Sequence, residues 1–179
     1  MIKPENTALV LIDIQEKLTA VMSQREELIQ NLQILIQGAQ ILDIPIHWVE
    51  QYPQGLGPTV PEIAELLKGL SPLSKISFSA CGQKGFMDQL KAGNRQSILV
   101  AGIECHVCVY QTTCDLLKAG YHVEVVLDAT SSRSLPNKQI GADKILRMGA
   151  ELTSVETVLF ELLQASGTPQ FKQISRLMR

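Results

Sequence analysis

A chain of 179 residues with 45% hydrophobic and 19% charged side chains has the size and composition of one globular domain, residues 1–179, able to bury a full core. Its formal net charge of −2, with Lys and Arg spread along the chain, offers no basic stripe for a phosphate backbone, so nucleic acid is not an expected partner. The start MIKPENTALVLIDI enters an apolar run too short for a signal-peptide core, and no run approaches the roughly 18 apolar residues of a membrane span; the expected setting is cytoplasmic, with no membrane partner.

The first apolar run, residues 8–14, reads as a strand and brings Asp13 to its carboxyl end. A carboxylate there can act as a base, ligate a metal or simply cap a turn. Leu28, Leu32, Leu35, Ala39 and Leu42 then recur at three- and four-residue spacing, the apolar face of a helix. A second strand, 44–49, leads into QYPQGLGPT (51–59), the longest candidate irregular loop of the first half. Loops at the carboxyl ends of strands are where open α/β sheets place their sites. Lys75 follows between Leu73, Ile76 and Phe78 in a short extended run, and alone it reads as a lysine snorkelling from a strand.

The strand 98–101 runs to Gly102, turns through 103–107 and enters a helix at or near Cys108. That helix, 108–118, turns Val109, Thr112, Leu116 and Leu117 inward and meets its C-terminal cap at Gly120. A strand over 123–127, a helix from Pro136 to Gly149, a weaker strand over 152–155 and an amphipathic tail from Glu156, striped by Val158, Leu159, Leu162 and Leu163, complete the pattern. Strand and helix alternate, and the strands are continuous apolar runs. This predicts an α/β fold whose mainly parallel sheet is covered by helices on both faces.

Three of the four cysteines, Cys105, Cys108 and Cys114, crowd one short stretch, and Cys81 stands alone; this is a layout for reduced thiols, not for stapling distant parts of a fold. At a helix N-terminus the Cys108 thiolate is favoured by the macrodipole and by unpaired backbone N–H groups, a nucleophile's environment. The other reading of Cys108 is a small buried hydrophobe. Cys105-x-x-Cys108, with His106 and Cys114 close by, also suggests thiol redox or zinc, but a structural zinc site needs a second ligand pair that the chain lacks. His47 and His122 each stand in a strand as packed or surface histidines. Neither GxGxxG after the first strand nor GxxxxGK[ST] anywhere is present, so dinucleotide and nucleotide phosphates lose their usual supports and no cofactor is expected.

LVLIDIQ, SKISFSA and GIECHVCVYQTTCDLLKAGYHVEVVLDATSSRS, in that order and spacing over residues 7–148, resemble the isochorismatase-like cysteine hydrolases, a family that includes nicotinamidases. The resemblance implies a Rossmann-like three-layer sandwich and a catalytic set of Asp13 as base, Lys75 as cation and Cys108 as nucleophile. It also implies a cis peptide between Ile103 and Glu104, aiming the Glu104 N–H, with that of Cys108, at an oxyanion. Attack on a carboxamide would then give a thioester on Cys108 that water hydrolyses. Nicotinamidases carry an aspartate-and-histidine metal site in the loop after the second strand, and VEQYPQGLGP holds no histidine, so no metal is expected there. That loop instead resembles the isochorismatase-domain-containing branch, and Gln15 and Gln51 are candidate substrate-binding polar groups or else exposed surface residues. The expected protein is therefore an amidohydrolase-type enzyme with a small-molecule substrate, assembled as a homo-oligomer. The competing readings are a non-catalytic binding or regulatory protein on the same fold and a redox protein using Cys105 and Cys108.

Overall fold

A computed structural model describes residues 1–178. In chain order its elements are β1 (Thr7–Ile12), α1 (Glu16–Thr19), α2 (Arg25–Ile41), β2 (Ile46–Gln51), α3 (Pro53–Leu56), α4 (Pro61–Ala64), β3 (Leu73–Lys75), α5 (Lys84–Gly93), β4 (Ser97–Ile103), a π turn (Cys105–Val109), α6 (Tyr110–Lys118), β5 (His122–Ser131), α7 (Leu135–Arg147), β6 (Glu151–Thr153), α8 (Val155–Leu163) and α9 (Pro169–Leu177). The six strands form one sheet in the order β3-β2-β1-β4-β5-β6, and every neighbouring pair is parallel. This is the α/β sandwich expected from the alternation of elements.

Side chains of a strand point alternately to opposite faces, so a strand covered on both sides must be apolar throughout. β1 and β4 are buried at every position and apolar after their first residues, Thr7 and Ser97. Leu9 and Leu11 of β1, with Leu99, Ala101 and Ile103 of β4, pack under Leu32, Leu35 and Ile36 of α2 and Val158 and Leu159 of α8. Ala8, Val10 and Ile12 face the other way, with Ile98 and Val100, toward Phe86 and Leu90 of α5, Leu116 of α6 and Ile145 of α7. The amphipathic tail divides into α8 and α9, because Gln164 leaves the helix at positive φ and Thr168 caps a new one, its side chain accepting from the Phe171 N–H. Among the described residues no helix is long and apolar enough to cross a membrane.

Strand order reverses between β1 and β4, which opens a crevice at their carboxyl ends. Gly102 lets β4 pass close to the end of β1. It sits at φ +118°, and a Cβ there would lie 2.1 Å from the Ile12 carbonyl oxygen. The loop expected over 51–59 is more ordered than its Gly and Pro content suggests, since Pro53–Leu56 coils into the short α3 and Thr59 bridges back to Gln15.

Candidate active site

Three chain segments converge on the crevice between β1 and β4. Asp13 follows β1 directly at a left-handed φ of 54°, the one-residue turn that swings its carboxylate out of the strand. Its Oδ2 accepts from Lys75 Nζ at 2.8 Å, and both side chains are fully buried. Lys75 arrives from the end of β3, and its ammonium also donates to Gln51 Oε1 (2.8 Å) and the Phe78 carbonyl (3.1 Å), with the Ser77 carbonyl at 3.4 Å. A buried ammonium needs every proton partnered, and this one is. The pairing is not extended to the second carboxylate oxygen: Asp13 Oδ1 is buried without a hydrogen-bond partner among the described residues.

Cys108 is the third member, 6% exposed and close enough to Asp13 and Lys75 for their charges to act on it. It lies near the expected helix start, within a different kind of turn. The segment after β4 first makes a π turn, Cys105–Val109, which runs directly into α6, and Cys108 is its fourth residue, two positions ahead of Tyr110. Burial pushes its thiol well above the ordinary range, and the Asp13 carboxylate adds to this while Lys75 opposes it. The direction is opposite to the one the helix-start argument favours. Burial likewise pushes the Asp13 carboxyl up, chiefly against the pull of Lys75.

The peptide between Ile103 and Glu104 is cis. Glu104 is held by its side chain, whose Oε2 accepts from both the backbone N–H and Nε of Arg133 at 3.1 Å. Opposite the turn, Gly141 of α7 allows close approach, since a Cβ there would stand 2.8 Å from the Cys105 carbonyl carbon and His106 Cα. His106 Nδ1 meets Ser132 Oγ at 3.0 Å.

Gln15 and Gln51 lie beside the set in different capacities. Gln15 is fully buried; its Nε2 donates to the Gln51 and Gly57 carbonyls (2.9 and 2.7 Å) and its Oε1 accepts the Gln51 N–H at 2.8 Å. It fastens the loop after β2 to β1, which excludes the surface role. Gln51 holds Lys75 through Oε1 and donates to the Ile76 carbonyl at 2.7 Å. Sequence reasoning missed the carbonyls of Ser77 and Phe78 and the Arg133 clamp on Glu104. Backbone acceptors carry no residue signature, and Arg133 lies 29 positions from its partner.

All four cysteines are free. Cys105 Sγ reaches the Lys138 carbonyl at 3.5 Å, and burial pushes its thiol up to about 12. Among the described residues these thiols do not gather with His106 into a ligand set. His47 packs edge-on to Phe86, with ring centroids 6.2 Å apart. A hollow of about 320 Å³ bounded in part by Ser23, Asp128, Ser131 and Lys138 is not lined by Asp13, Lys75 or Cys108.

Comparison with known proteins places these features in context. The isochorismatase domain model matches residues 7–157. Isochorismatase domain-containing protein 2 of Danio rerio is 37% identical over 174 residues, covering 97% of this chain and 87% of that protein. The structure of the MAR1 ribonuclease from Caenorhabditis elegans superposes with a TM-score of 0.93 at 41% identity, covering 99% of this chain and 91% of that one. The Escherichia coli YcaC protein, described as an octameric hydrolase of unknown specificity, shares the fold with a TM-score of 0.92 at 20% identity, over 98% of this chain and 89% of its own.

Proposed function

The chain belongs to the isochorismatase-like family, and we propose that it is a cysteine hydrolase opening a small amide or related carbonyl compound through a thioester on Cys108. The observation that carries this reading is the fully buried Lys75–Asp13 pair at 2.8 Å beside Cys108, whose thiol burial pushes up. Burial disfavours a pre-formed thiolate, and a base within reach lets the proton leave as the sulfur bonds to carbon. Asp13 Oδ1, buried and without a partner among the described residues, is the acceptor for that proton, and Lys75 works against the upward push of burial on this carboxyl.

Sγ of Cys108 adds to the carbonyl carbon as its proton passes to Asp13. The oxygen takes the negative charge and is received by the N–H groups of Glu104 and Cys108. Collapse of the adduct breaks the C–N bond, and the leaving amine or ammonia departs with the proton held by Asp13. Water, giving a proton to Asp13, then attacks the thioester; the acid leaves and the thiol is reprotonated. Gln51 positions Lys75 in this scheme, and Gln15 positions Gln51. The reaction calls on no metal or other cofactor. Assembly as a homo-oligomer belongs to the same proposal, supported by the octamer described for the E. coli fold relative and tested by sedimentation of the full chain.

Intact-mass analysis after exposure to a panel of small amides tests the mechanism. An acyl adduct of substrate mass on wild-type protein, absent from Cys108→Ala, is expected. Neither adduct nor turnover with any member would return the chain to the binding-protein reading. The name of the C. elegans relative favours a second reading, RNA cleavage, although a net charge of −2 offers no basic track for RNA. Cleavage of an RNA oligonucleotide by the wild type and not by Cys108→Ala would favour it over amide hydrolysis.

A further inference from the structure

The amino edge of the sheet, opposite the crevice, carries a second group of chemically active side chains. His122 opens β5, and Glu124 follows two positions on, which returns its side chain to the same face. Glu151 opens β6 and is the register partner of Glu124. His122 Nε2 stands 3.1 Å from Glu124 Oε1, and one nitrogen or oxygen from each of the three residues falls within 4.8 Å of the other two.

The charge balance at this place is incomplete. Glu124 is 4% exposed, yet among the described residues its only polar side-chain partner is His122, and no Lys or Arg pairs with it. Directly across the strand pair stands Glu151, a like charge in the position where like charges repel. A third carboxylate, Glu161, also bears on Glu124; it takes the chain's own N-terminal ammonium at 3.9 Å and its Oε1 accepts the Ile2 N–H at 3.1 Å. A buried carboxylate that faces a second carboxylate and has a lone imidazole for a partner is a place where a bound cation offsets the cost of burial.

The geometry points to a divalent transition-metal site, of the zinc class, formed by His122, Glu124 and Glu151 with water completing the shell. One imidazole nitrogen with two carboxylate oxygens is a donor set that zinc accepts, whereas Mg²⁺ and Ca²⁺ prefer oxygen alone. The ligands stand on paired strands, which hold their spacing better than loops do. Bound there, the metal clips β6, an edge strand of three residues, to β5. The site is remote from Cys108 and takes no part in the proposed reaction.

Titration of the full chain with Zn²⁺ against a chromophoric chelator, and with Co²⁺ by visible absorption, tests the site. One Zn²⁺ per chain is expected, with a melting temperature that rises on its addition. His122→Ala and Glu151→Gln, both at exposed positions, should each weaken Zn²⁺ binding by more than about tenfold, since even second-shell losses at metal sites reach that size. Cys108→Ala should bind as the wild type does. No saturable binding, unchanged binding in both ligand variants, or loss of binding in Cys108→Ala would each overturn the assignment.

Discussion

At the carboxyl edge of the sheet Asp13 and Lys75 meet 2.8 Å apart with both side chains fully buried, whereas at the amino edge Glu124 is almost as buried and faces a second carboxylate. Both places hold charge out of water, at a cost that must be offset. The first offsets it internally, with an ammonium further tied to Gln51 and Phe78. The second has only His122. An internally balanced pair can pass a proton without inviting an ion in, and an unbalanced one is a place for a cation from outside.

The sharpest test of that contrast is at the carboxyl edge. Cys108→Ala should reduce hydrolysis to background, while Cys105→Ser and Cys114→Ser keep most of it, because neither of those thiols faces the Asp13–Lys75 pair; turnover assays on the three variants decide it. Loss in Cys105→Ser equal to that in Cys108→Ala would favour the redox reading. Asp13→Asn should lower turnover by roughly 10²–10⁴-fold, as loss of a general base does. Combined with Cys108→Ala it should cost almost nothing more, since groups acting as a unit are strongly non-additive.

Lys75→Met leaves a buried carboxylate without its partner, and denaturant unfolding should show a loss of about 3–5 kcal/mol. The pH profile of Cys108 alkylation separates the two partners by sign. The Asp13 charge pushes the thiol up, so Asp13→Asn should move the profile to lower pH; Lys75 pulls the thiol down, so Lys75→Met should move it higher. Shifts of the same sign, or none, would break the assignment of roles. The smallest effect belongs to the amino edge: His122→Ala and Glu151→Gln should leave turnover within about twofold of wild type, as exposed substitutions outside a site do. Chelator treatment should leave it unchanged as well. A large loss from either would mean that the two ends are coupled.

Much of the carboxyl edge was legible beforehand. Asp13 was placed by the end of an apolar run, and Cys108 by the passage from strand through Gly102 to helix. Lys75 was not legible from its surroundings: Leu73, Ile76 and Phe78 suggest a surface strand, and only the family resemblance singled the lysine out. Its burial comes from Gln51 and the carbonyls of residues 77 and 78 closing over the ammonium, contacts that no local spacing encodes. His122 and Glu151 were equally silent, because 29 residues separate them and only the pairing of β5 with β6 brings them together.

Periodicity and residue identity are properties of short stretches, and so the sequence by itself determined the layered α/β architecture, the order of strand and helix, and the chemical types available at each strand end. Protonation is not such a property. The start of a helix argued for a Cys108 thiolate, yet Cys108 lies inside a π turn under α7, with Asp13 from β1 against it, and the thiol is pushed up instead. Burial sums over elements far apart in the chain, whereas a helix dipole is a local property that acts within one turn.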